Sequence, residues 1–305
     1  MTAERATDLR QQIAALLMTT VAPGERLPTV RALAERFGAS IGTVQGVLAR
    51  LERDGAIELA HRGRRGAYLD RRSLERLWAA AESEPLILSL PLPTTPRING
   101  LATAVRALLS DAGVPAYVSF IRGSRRRLEG LRHDRCRVAV MSALAAGERG
   151  ASETIAQELP PQSYVAEHRV YLRPDAVELA RPLRVVFDRD SADFQRITEL
   201  EFAGQGAEFV PATYMQFARL LDEGRVDGAV WDADEARAGH LPSFLVERPL
   251  SANVRASLSD RNSRATFLVR SDDAVAHHVV TSILRPAALL AIQQEVIAGT
   301  RVPEY

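Results

Sequence analysis

A set of basic, hydroxyl and amide side chains between residues 31 and 65 has the chemistry needed to bind a nucleic acid. Guanidinium groups form paired hydrogen bonds with phosphate, while hydroxyl and amide groups reach phosphates and base edges. The chain contains 39 lysine or arginine residues, and all of them are Arg, so its permanently charged basic side chains are all guanidinium groups. The candidate DNA-contacting residues are Arg31, Ser40, Ile41, Gly42, Thr43, Gln45, Arg62, Arg64 and Arg65.

Two glycines in the stretch 38–51 indicate that another molecule approaches this segment closely. An apolar stripe with helical spacing predicts one buried face, formed by Val44, Val47, Leu48 and Leu51. Gly42 and Gly46 fall on the opposite face, where each costs about 1 kcal/mol of helix stability relative to alanine. A face without side chains lets the helix backbone come close to DNA, and this close approach explains why glycine occurs at both positions.

Three helices and a β-hairpin are predicted to position these residues. Apolar periodicity predicts helices at 7–20 and 29–37, and Thr29 is a suitable N-cap for the second. Ser40 is predicted to cap a third helix that Gly55 ends. Short strands at 56–60 and 66–69 then flank an arginine-rich tip. This is the layout of a winged helix-turn-helix, in which the third helix enters the major groove.

Charge distribution supports a DNA-binding role for this segment. Residues 1–72 hold 12 Arg and 8 Asp or Glu, whereas the remaining residues hold 27 Arg and 30 Asp or Glu. The positive charge is therefore concentrated where a polyanion would bind. The alternative is that a three-helix unit with an arginine-rich turn serves only as a packing module.

Several spaced motifs in residues 7–70 closely resemble the GntR superfamily of bacterial transcription regulators. They are the segments PGERLPTVRALA at 23–34, GASIGTV at 38–44, LERDG at 51–55 and RGAYL at 65–69. The resemblance implies that Arg31, Thr43 and the wing contact operator DNA and that the protein binds as a homodimer. Relatives often carry Arg where this chain has Ile41 and Gln45, so the resemblance does not imply direct guanine readout by this helix.

The bulk composition is that of a globular protein with more than one domain. The chain has 305 residues, of which 46% are hydrophobic and 25% charged. No apolar run approaches the length of a membrane span, and the polar start of the chain does not resemble a secretory signal. With Cys136 as the only cysteine, no internal disulfide forms. These features predict a cytoplasmic protein that does not contact a membrane.

Beyond a charged, alanine-rich linker helix predicted at 71–84, strands and helices alternate. Strands are predicted at 85–93, 116–121, 137–142, 163–172, 183–188, 208–210, 226–232 and 264–270, and a closing helical region at 274–299. Alternation of this kind predicts an α/β domain with parallel sheets, whose functional groups lie at the carboxyl ends of the strands.

Two segments of this larger region resemble the C-terminal domain of YhfZ-type regulators. They are LPLPTTPRINGLATAV at 90–105 and FIRGSRRRLEGLRHDRCRVAVMSALAA at 120–146. The resemblance implies a two-lobed, type II periplasmic-binding-protein-like domain over 85–305. Lobe 1 is expected at about 85–172 and 260–305, and lobe 2 at about 183–250. It also implies a sensor for a small-molecule effector.

Within that frame, ligand contacts are expected at strand ends and helix starts. A helix N-terminus offers free N–H groups to an anion, and an arginine adds paired contacts to a carboxylate or phosphate. These features predict a small anionic metabolite. Structural roles are the alternative for Arg97 and Arg122, a core position for Trp231 and a helix cap for Asp232. The candidate ligand-binding residues are Pro91, Thr94, Arg97, Ser119, Arg122, Gly123, Ser142, Asp188, Trp231 and Asp232.

The sequence favours a regulator over an enzyme. A chain without lysine cannot form the Schiff base of a pyridoxal-phosphate enzyme or complete an ordinary phosphate-binding loop. Cys136 begins an apolar strand, and His277 and His278 lack metal-ligand spacing. We therefore expect no catalytic residue, no cofactor and no metal. An enzyme built on the same two-lobed fold and a ligand-free scaffold are the two alternatives.

Overall fold

The computed structural model describes residues 2–81 and 84–305. The chain forms two compact units, which are described separately below. The first comprises the described residues up to Leu86 together with Ala107–Tyr117 and Asp273–Ile283. The second comprises Ile87–Arg106, Val118–Asp272 and Leu284–Tyr305.

The first unit contains a helix-turn-helix followed by a β-hairpin wing. Its elements are α1 (Thr2–Thr19), α2 (Val30–Phe37), α3 (Ile41–Arg53), β1 (Ile57–His61), β2 (Ala67–Arg72) and α4 (Leu74–Ala81). β1 and β2 pair antiparallel, and a single 3₁₀ turn at Gly63–Arg65 forms the tip of the hairpin. The predicted winged helix-turn-helix is confirmed.

Local capping explains where the helices of this motif begin and end. The Thr29 hydroxyl accepts from Ala32 N at 3.1 Å, and the Ser40 hydroxyl accepts from Thr43 N at 3.1 Å. Each bond satisfies a backbone donor that the first helical turn leaves free. Gly38, with φ 61°, supplies the left-handed residue that ends α2. Both predicted N-caps are confirmed.

The predicted linker helix at 71–84 is corrected at its N-terminal end. Arg71 and Arg72 belong to wing strand β2, and only Leu74–Ala81 is helical; residues 82 and 83 lie outside the described residues. Arg72 Nη1 donates to the carbonyl oxygens of Leu17 and Met18 in the last turn of α1 and to that of Val21 just beyond it, at 2.7–2.8 Å. α4 packs along α1 and buries Leu77 and Trp78. This segment is therefore part of the compact first unit.

The remainder of the chain contains two α/β lobes, together with α11 (Ala274–Ser282), which belongs to the first unit. In chain order the elements are β3 (Leu86–Leu90), α5 (Pro96–Asp111), β4 (Ala116–Phe120), α6 (Ser124–Arg132), β5 (Val138–Ser142), β6 (Glu153–Glu158), β7 (His168–Leu172), β8 (Arg184–Phe187), α7 (Ala192–Glu201), β9 (Glu208–Pro211), α8 (Phe217–Asp222), β10 (Gly228–Asp232), α9 (Ala233–Glu235), β11 (Val246–Pro249), α10 (Ala252–Leu258), β12 (Ala265–Arg270), α11 (Ala274–Ser282) and α12 (Pro286–Ile297).

Each lobe is built on one five-stranded sheet. Lobe 1 has the strand order β4-β3-β5-β12-β6, and lobe 2 has the order β11-β7-β10-β8-β9. The chain crosses between the lobes twice, once between β6 and β7 and once between β11 and β12. The predicted two-lobed α/β fold is confirmed. The lobe boundary shifts, because β7 lies in the sheet of lobe 2 and not, as predicted, in lobe 1.

The sheets are mixed, which corrects the prediction of parallel sheets. β12 runs antiparallel to β5 and β6, and β7 runs antiparallel to β10 and β11. Both exceptions are the strands that directly follow a crossover between lobes. The pairs β3·β5, β8·β9 and β8·β10 are parallel, as expected for strands joined through helices.

The closing helical region is also divided. Three residues, 283–285, separate the end of α11 from Pro286, which begins α12 because a proline cannot continue a preceding helix. Within the described residues, no single helix is long and apolar enough to cross a membrane. Taken together, α11 and α12 pass that test, but they are bent by 63° relative to each other.

Arginines of the second unit are extensively paired with carboxylates. Asp227, with 1% of its side chain exposed, accepts hydrogen bonds from both Arg181 and Arg184. Glu153 accepts from Arg132 Nε at 3.0 Å, from the Ser152 hydroxyl and from Gly150 N. These charge-assisted bonds neutralise much of the basic charge in this unit.

Replacing Glu153 by glutamine will reduce the acid sensitivity of folding. The bond from Arg132 lowers the pKa of Glu153 from 4.5 to about 2. The carboxylate therefore stabilises the folded state above its unfolded pKa, and this contribution is lost as pH falls through the folded pKa. At pH 7 we expect Glu153→Gln to lose roughly 1–3 kcal/mol of unfolding free energy.

Urea unfolding at pH 7, 5 and 3 measures this effect. The deficit of Glu153→Gln relative to wild type should shrink as the pH falls from about 5 to about 3. Glu158→Gln is the matched control, because Glu158 is a more exposed strand residue paired with Arg264 at 3.4 Å. A deficit that stayed constant across this pH range would contradict the prediction.

Candidate functional site

The exposed face of α3 is bare, as the sequence predicted. Val44, Val47, Leu48 and Leu51 are buried, and they hold the helix against its neighbours. A methyl group built on Gly46 would meet no atom within 4 Å, and one on Gly42 would meet only the Ser40 hydroxyl at 3.9 Å. Neither glycine is therefore required by packing inside the described structure. Their small size leaves open surface on the outer side of the helix.

Polar groups and one apolar side chain surround this bare face. The Ser40 and Thr43 hydroxyls lie 2.7 Å apart at the start of α3, and the Gln45 side chain is exposed. Ile41 is 51% exposed, which is unusual for a large apolar residue and suits contact with a thymine methyl group. Arg31, on α2, is also exposed and is held by Glu35 at 3.0 Å.

The wing carries the remaining basic candidates. The Arg62 guanidinium lies over the Tyr68 ring, with 4.4 Å from its carbon to the ring centroid. Arg64 and Arg65 are exposed, and their guanidinium groups form no ion pair or hydrogen bond with any residue the structure describes. Their charge is thus available to a phosphate backbone. All nine candidate DNA contacts lie in the first unit, and their contact with DNA stays a prediction.

A cavity of about 50 Å³ lies between the two lobes of the second unit. Five of the ten predicted ligand residues line it, namely Pro91, Thr94, Arg122, Gly123 and Asp232. The other five, Arg97, Ser119, Ser142, Asp188 and Trp231, are not among its lining residues. Ligand contact stays a prediction for all ten.

Of the five predicted residues that do not line the cavity, three support its rim and wall. Ser142 donates to buried Asp193 at 2.9 Å across the lobes, and Asp188 accepts from Arg122 Nη1 at 2.5 Å. Trp231 packs behind the lobe 2 wall, with its ring centroid 5.8 Å from that of Phe194. The core position considered for Trp231 and the helix cap considered for Asp232 are both observed.

The two arginines predicted to hold an anion are engaged by the protein itself. Arg122, in lobe 1, bridges Asp188 and Asp190 of lobe 2. Arg97 pairs with Asp234 of lobe 2 at 3.1 Å. Both pairs close the rim of the cavity with positive charge from lobe 1 and negative charge from lobe 2. The prediction of an anionic ligand is untested, but these two guanidinium groups are not free to bind one.

Gly123 marks the closest approach of the lobes. Its φ of 81° lies in the left-handed region, and a methyl group built on it would lie 2.6 Å from the backbone oxygen of Asp190. Next to it, the Ser124 hydroxyl accepts from Ala192 N, the first residue of α7, at 3.0 Å. Lobe 1 thus satisfies a donor at the start of a lobe 2 helix, which holds the lobes in a closed arrangement.

Comparison with known proteins assigns both parts of the chain. A helix-turn-helix domain family matches residues 22–69. The YhfZ C-terminal domain family matches residues 73–305, which is most of the chain. The chain belongs to the YhfZ family. A helix-turn-helix joined to a YhfZ C-terminal domain indicates a transcription regulator.

Two relatives extend the YhfZ match beyond the domain family. The protein YhfZ of Escherichia coli strain K12 is 32% identical over 285 residues, covering 92% of each chain. The crystal structure of YhfZ from Shigella flexneri is 29% identical, has a TM-score of 0.61 and covers 76% of this chain and 97% of that one. A periplasmic substrate-binding protein of an ABC transporter from Coxiella burnetii has a TM-score of only 0.45, too low for a functional comparison.

Several cavity residues of this YhfZ-family chain escaped the sequence analysis. They are Arg127, Tyr164, His168, Asp193, Phe194, Tyr214 and Glu235. Arg127 sits in an arginine run that resembles a solvated helix face, yet only 3% of it is exposed. Tyr164 lies on the first crossover, whose path the strand pattern does not reveal. The one available signal was Glu235, which follows Asp232 by three residues.

Burial governs the protonation of this cavity. Desolvation raises the pKa of Asp232 and of Glu235, and the proximity of Glu235 raises that of Asp232 further. Burial lowers the pKa of His168 to about 4, so its imidazole is neutral at pH 7. Asn262 Nδ2 donates to His168 Nδ1 at 2.9 Å, which leaves the proton on Nε2. His168 Nε2 has no hydrogen-bond partner among the described residues.

Several groups with the chemistry for catalysis or metal binding are buried in the core or bound by neighbouring side chains. Cys136 is buried in the core, where desolvation raises the pKa of its thiol to about 12. Asp188 and Asp190 are bound by Arg122, and Asp193 by the hydroxyls of Ser142 and Ser191. Across residues 2–81 and 84–305, no group of three or more His, Cys, Asp or Glu side chains is arranged to hold a metal ion.

Proposed function

We propose that this protein is a GntR-like, cytoplasmic transcription regulator that binds operator DNA as a homodimer and is controlled by a small effector held between its C-terminal lobes. The observation that carries the DNA-binding part is the bare outer face of α3, together with a wing whose Arg64 and Arg65 are exposed. Two such motifs in a homodimer would bind half-sites of a pseudo-palindromic operator.

Closure of the lobes is the proposed link between effector and DNA. The cavity is enclosed by polar bonds that cross between lobes, such as Arg97–Asp234 and Ser142–Asp193. An effector that binds the closed arrangement more tightly than an open one will shift the population toward closure. In the homodimer, this shift would change the separation of the two DNA-binding motifs and so alter operator affinity.

Removing the wing charges will weaken DNA binding and reduce its salt dependence. Each phosphate contact contributes about one unit to the slope of log affinity against log salt. We expect Arg64→Ala with Arg65→Ala to lower the slope by about 2. The measurement is a gel-shift titration at 50–200 mM salt, with a duplex that the full-length protein selects from a random library.

Two exposed arginines of the second unit provide the charge-matched control. Arg196→Ala with Arg225→Ala removes the same charge from side chains that are 58% and 66% exposed. This control should bind the duplex with the wild-type slope. If the wing variant and wild type had equal slopes of log affinity against log salt, the wing would not contact DNA phosphates as proposed.

A further inference from the structure

The cavity has walls of opposite charge. Lobe 1 contributes Arg127 from α6, while lobe 2 contributes Asp193, Asp232 and Glu235. The rim pairs have the same polarity, because arginines of lobe 1 meet aspartates of lobe 2 there. Inside the cavity, this pattern continues without direct pairing.

Arg127 is a buried cation whose partners are all neutral. Its Nε donates to the Val140 carbonyl at 2.8 Å, its Nη1 to the Ile121 carbonyl at 2.7 Å and its Nη2 to the Tyr164 hydroxyl at 3.0 Å. In the described parts of the chain, no carboxylate lies within ion-pairing distance of it. An uncompensated buried charge is costly, so an anionic group entering the cavity would be stabilised beside Arg127.

The acidic wall is the set of lobe 2 carboxyl groups, Asp193, Asp232 and Glu235. Two of them, Asp232 and Glu235, form hydrogen bonds but no ion pair with a described residue. Asp232 accepts from Asp234 N at 2.8 Å, and Glu235 accepts from the Thr94 hydroxyl of lobe 1. No arginine or histidine within the described ranges forms an ion pair with either carboxyl group. Burial raises the pKa of both carboxyl groups, and the nearby Glu235 raises that of Asp232 further.

Two further features favour a ligand with a polar end and a compact body. His168, 4% exposed, lines the cavity with its Nε2 proton unpartnered, so it can donate to an oxygen of the ligand. The stacked rings of Phe194 and Tyr214, 5.8 Å between centroids, form part of the same lining and suit an ammonium group. A volume of about 50 Å³ holds on the order of four water-sized groups at about 10–15 Å³ each.

We propose that the cavity binds a small zwitterion, a short amino acid whose carboxylate faces Arg127 and His168 and whose ammonium group faces Asp232 and Glu235. Such a ligand contacts both walls at once and adds the ion pairs that the cavity lacks. It therefore binds the closed arrangement more tightly than an open one. A ligand with a single charge contacts one wall and has no such preference. This inference rests on the proposed function, for which it names the class of effector.

The test compares zwitterions with compounds that carry only a carboxylate or only an ammonium group. It uses the full-length protein. The panel contains glycine, alanine, β-alanine and γ-aminobutyrate, with acetate, propionate and ethylammonium as single-charge controls at matched ionic strength. We expect at least one zwitterion to raise the thermal midpoint by roughly 2 °C or more at saturation, and the single-charge compounds to leave it unchanged. Stabilisation by acetate or ethylammonium alone, or by no member of the panel, would overturn the proposal.

Two near-isosteric variants locate the site. Glu235→Gln and Asp232→Asn keep their hydrogen-bond acceptors but remove the charge, and each should weaken the zwitterion at least tenfold by calorimetry. Glu247→Gln, on edge strand β11 outside the cavity lining, should bind like wild type. Unchanged affinity in both cavity variants would place the ligand elsewhere.

Operator binding separates this inference from the proposed function. If no zwitterion binds but the duplex is bound with the wing-dependent salt slope, the inference fails and the regulator stands. If an amino acid binds the cavity without altering operator affinity, the zwitterion site stands and the effector role fails.

Discussion

Replacing Gly46 by alanine will make the protein more stable and a weaker DNA binder. A methyl group at this position meets no atom within 4 Å, so the substitution removes only the entropic penalty of a helical glycine. We expect a gain of about 0.5–1 kcal/mol in unfolding free energy. With α3 in the major groove as proposed, the added methyl group would hold the helix farther from the DNA. We expect a loss of roughly tenfold in operator affinity, equivalent to about 1.4 kcal/mol.

Gly130→Ala is the matched control for this pair of effects. Gly130 lies inside α6 of the second unit, where a methyl group would make only ordinary contacts, the nearest 3.8 Å from Cys136 Sγ. This variant should gain similar stability and keep wild-type operator affinity. Urea unfolding and gel-shift titration provide the two measurements. A Gly46→Ala protein with undiminished affinity would show that the bare face of α3 does not touch DNA.

Replacing Gly123 by alanine will prevent the lobes from closing. The left-handed φ costs a non-glycine residue about 1–2 kcal/mol, and the methyl group would overlap the Asp190 backbone across the lobes. The atoms nearest to this methyl group are the backbone oxygen, the Cβ and the backbone carbon of Asp190, so no flexible side-chain end can move aside. Separation of the lobes relieves the overlap but breaks the Arg122 bridge to Asp188 and Asp190. We expect a larger radius of gyration by small-angle X-ray scattering and a loss of effector-induced stabilisation.

Gly204→Ala isolates the conformational part of this cost. Gly204 has a φ of 74°, yet a methyl group there would meet nothing within 4 Å. The control should lose about 1 kcal/mol of stability and keep the wild-type radius of gyration. If both variants scattered alike, close approach at Gly123 would not control lobe closure.

The DNA-binding motif was predictable because its determinants are local. The hydroxyls of Thr29 and Ser40 cap the helices that follow them, and the stripe from Val44 to Leu51 is buried as its spacing requires. The wing boundaries differ by only one to three residues from the prediction. Arg71 and Arg72, the last residues of β2, were assigned to the linker helix. Nothing in the arginine- and alanine-rich stretch indicates that Arg72 bonds to carbonyl oxygens of α1.

The ligand cavity was only half predictable because its geometry is non-local. Strand ends such as Pro91 and Asp232 follow from the α/β pattern, so they were found. Arg127 faces the cavity because of the rotation of α6 about its axis, and His168 because β7 follows a crossover between the lobes. The sequence pattern specifies neither feature. Polar edge strands β6 and β11 were missed because they lack an apolar run.

The uneven pairing of arginines has a consequence for how quickly the protein finds DNA. In the second unit, carboxylates such as Asp227 cancel the field of their arginines at short range, whereas Arg64 and Arg65 of the wing are exposed and form no ion pair within the described ranges. A diffusing molecule with one unscreened basic edge is oriented by the DNA field before contact, which raises the association rate. Encounter should therefore slow steeply with ionic strength, while we expect the dissociation rate to depend mainly on the contacts proposed for α3.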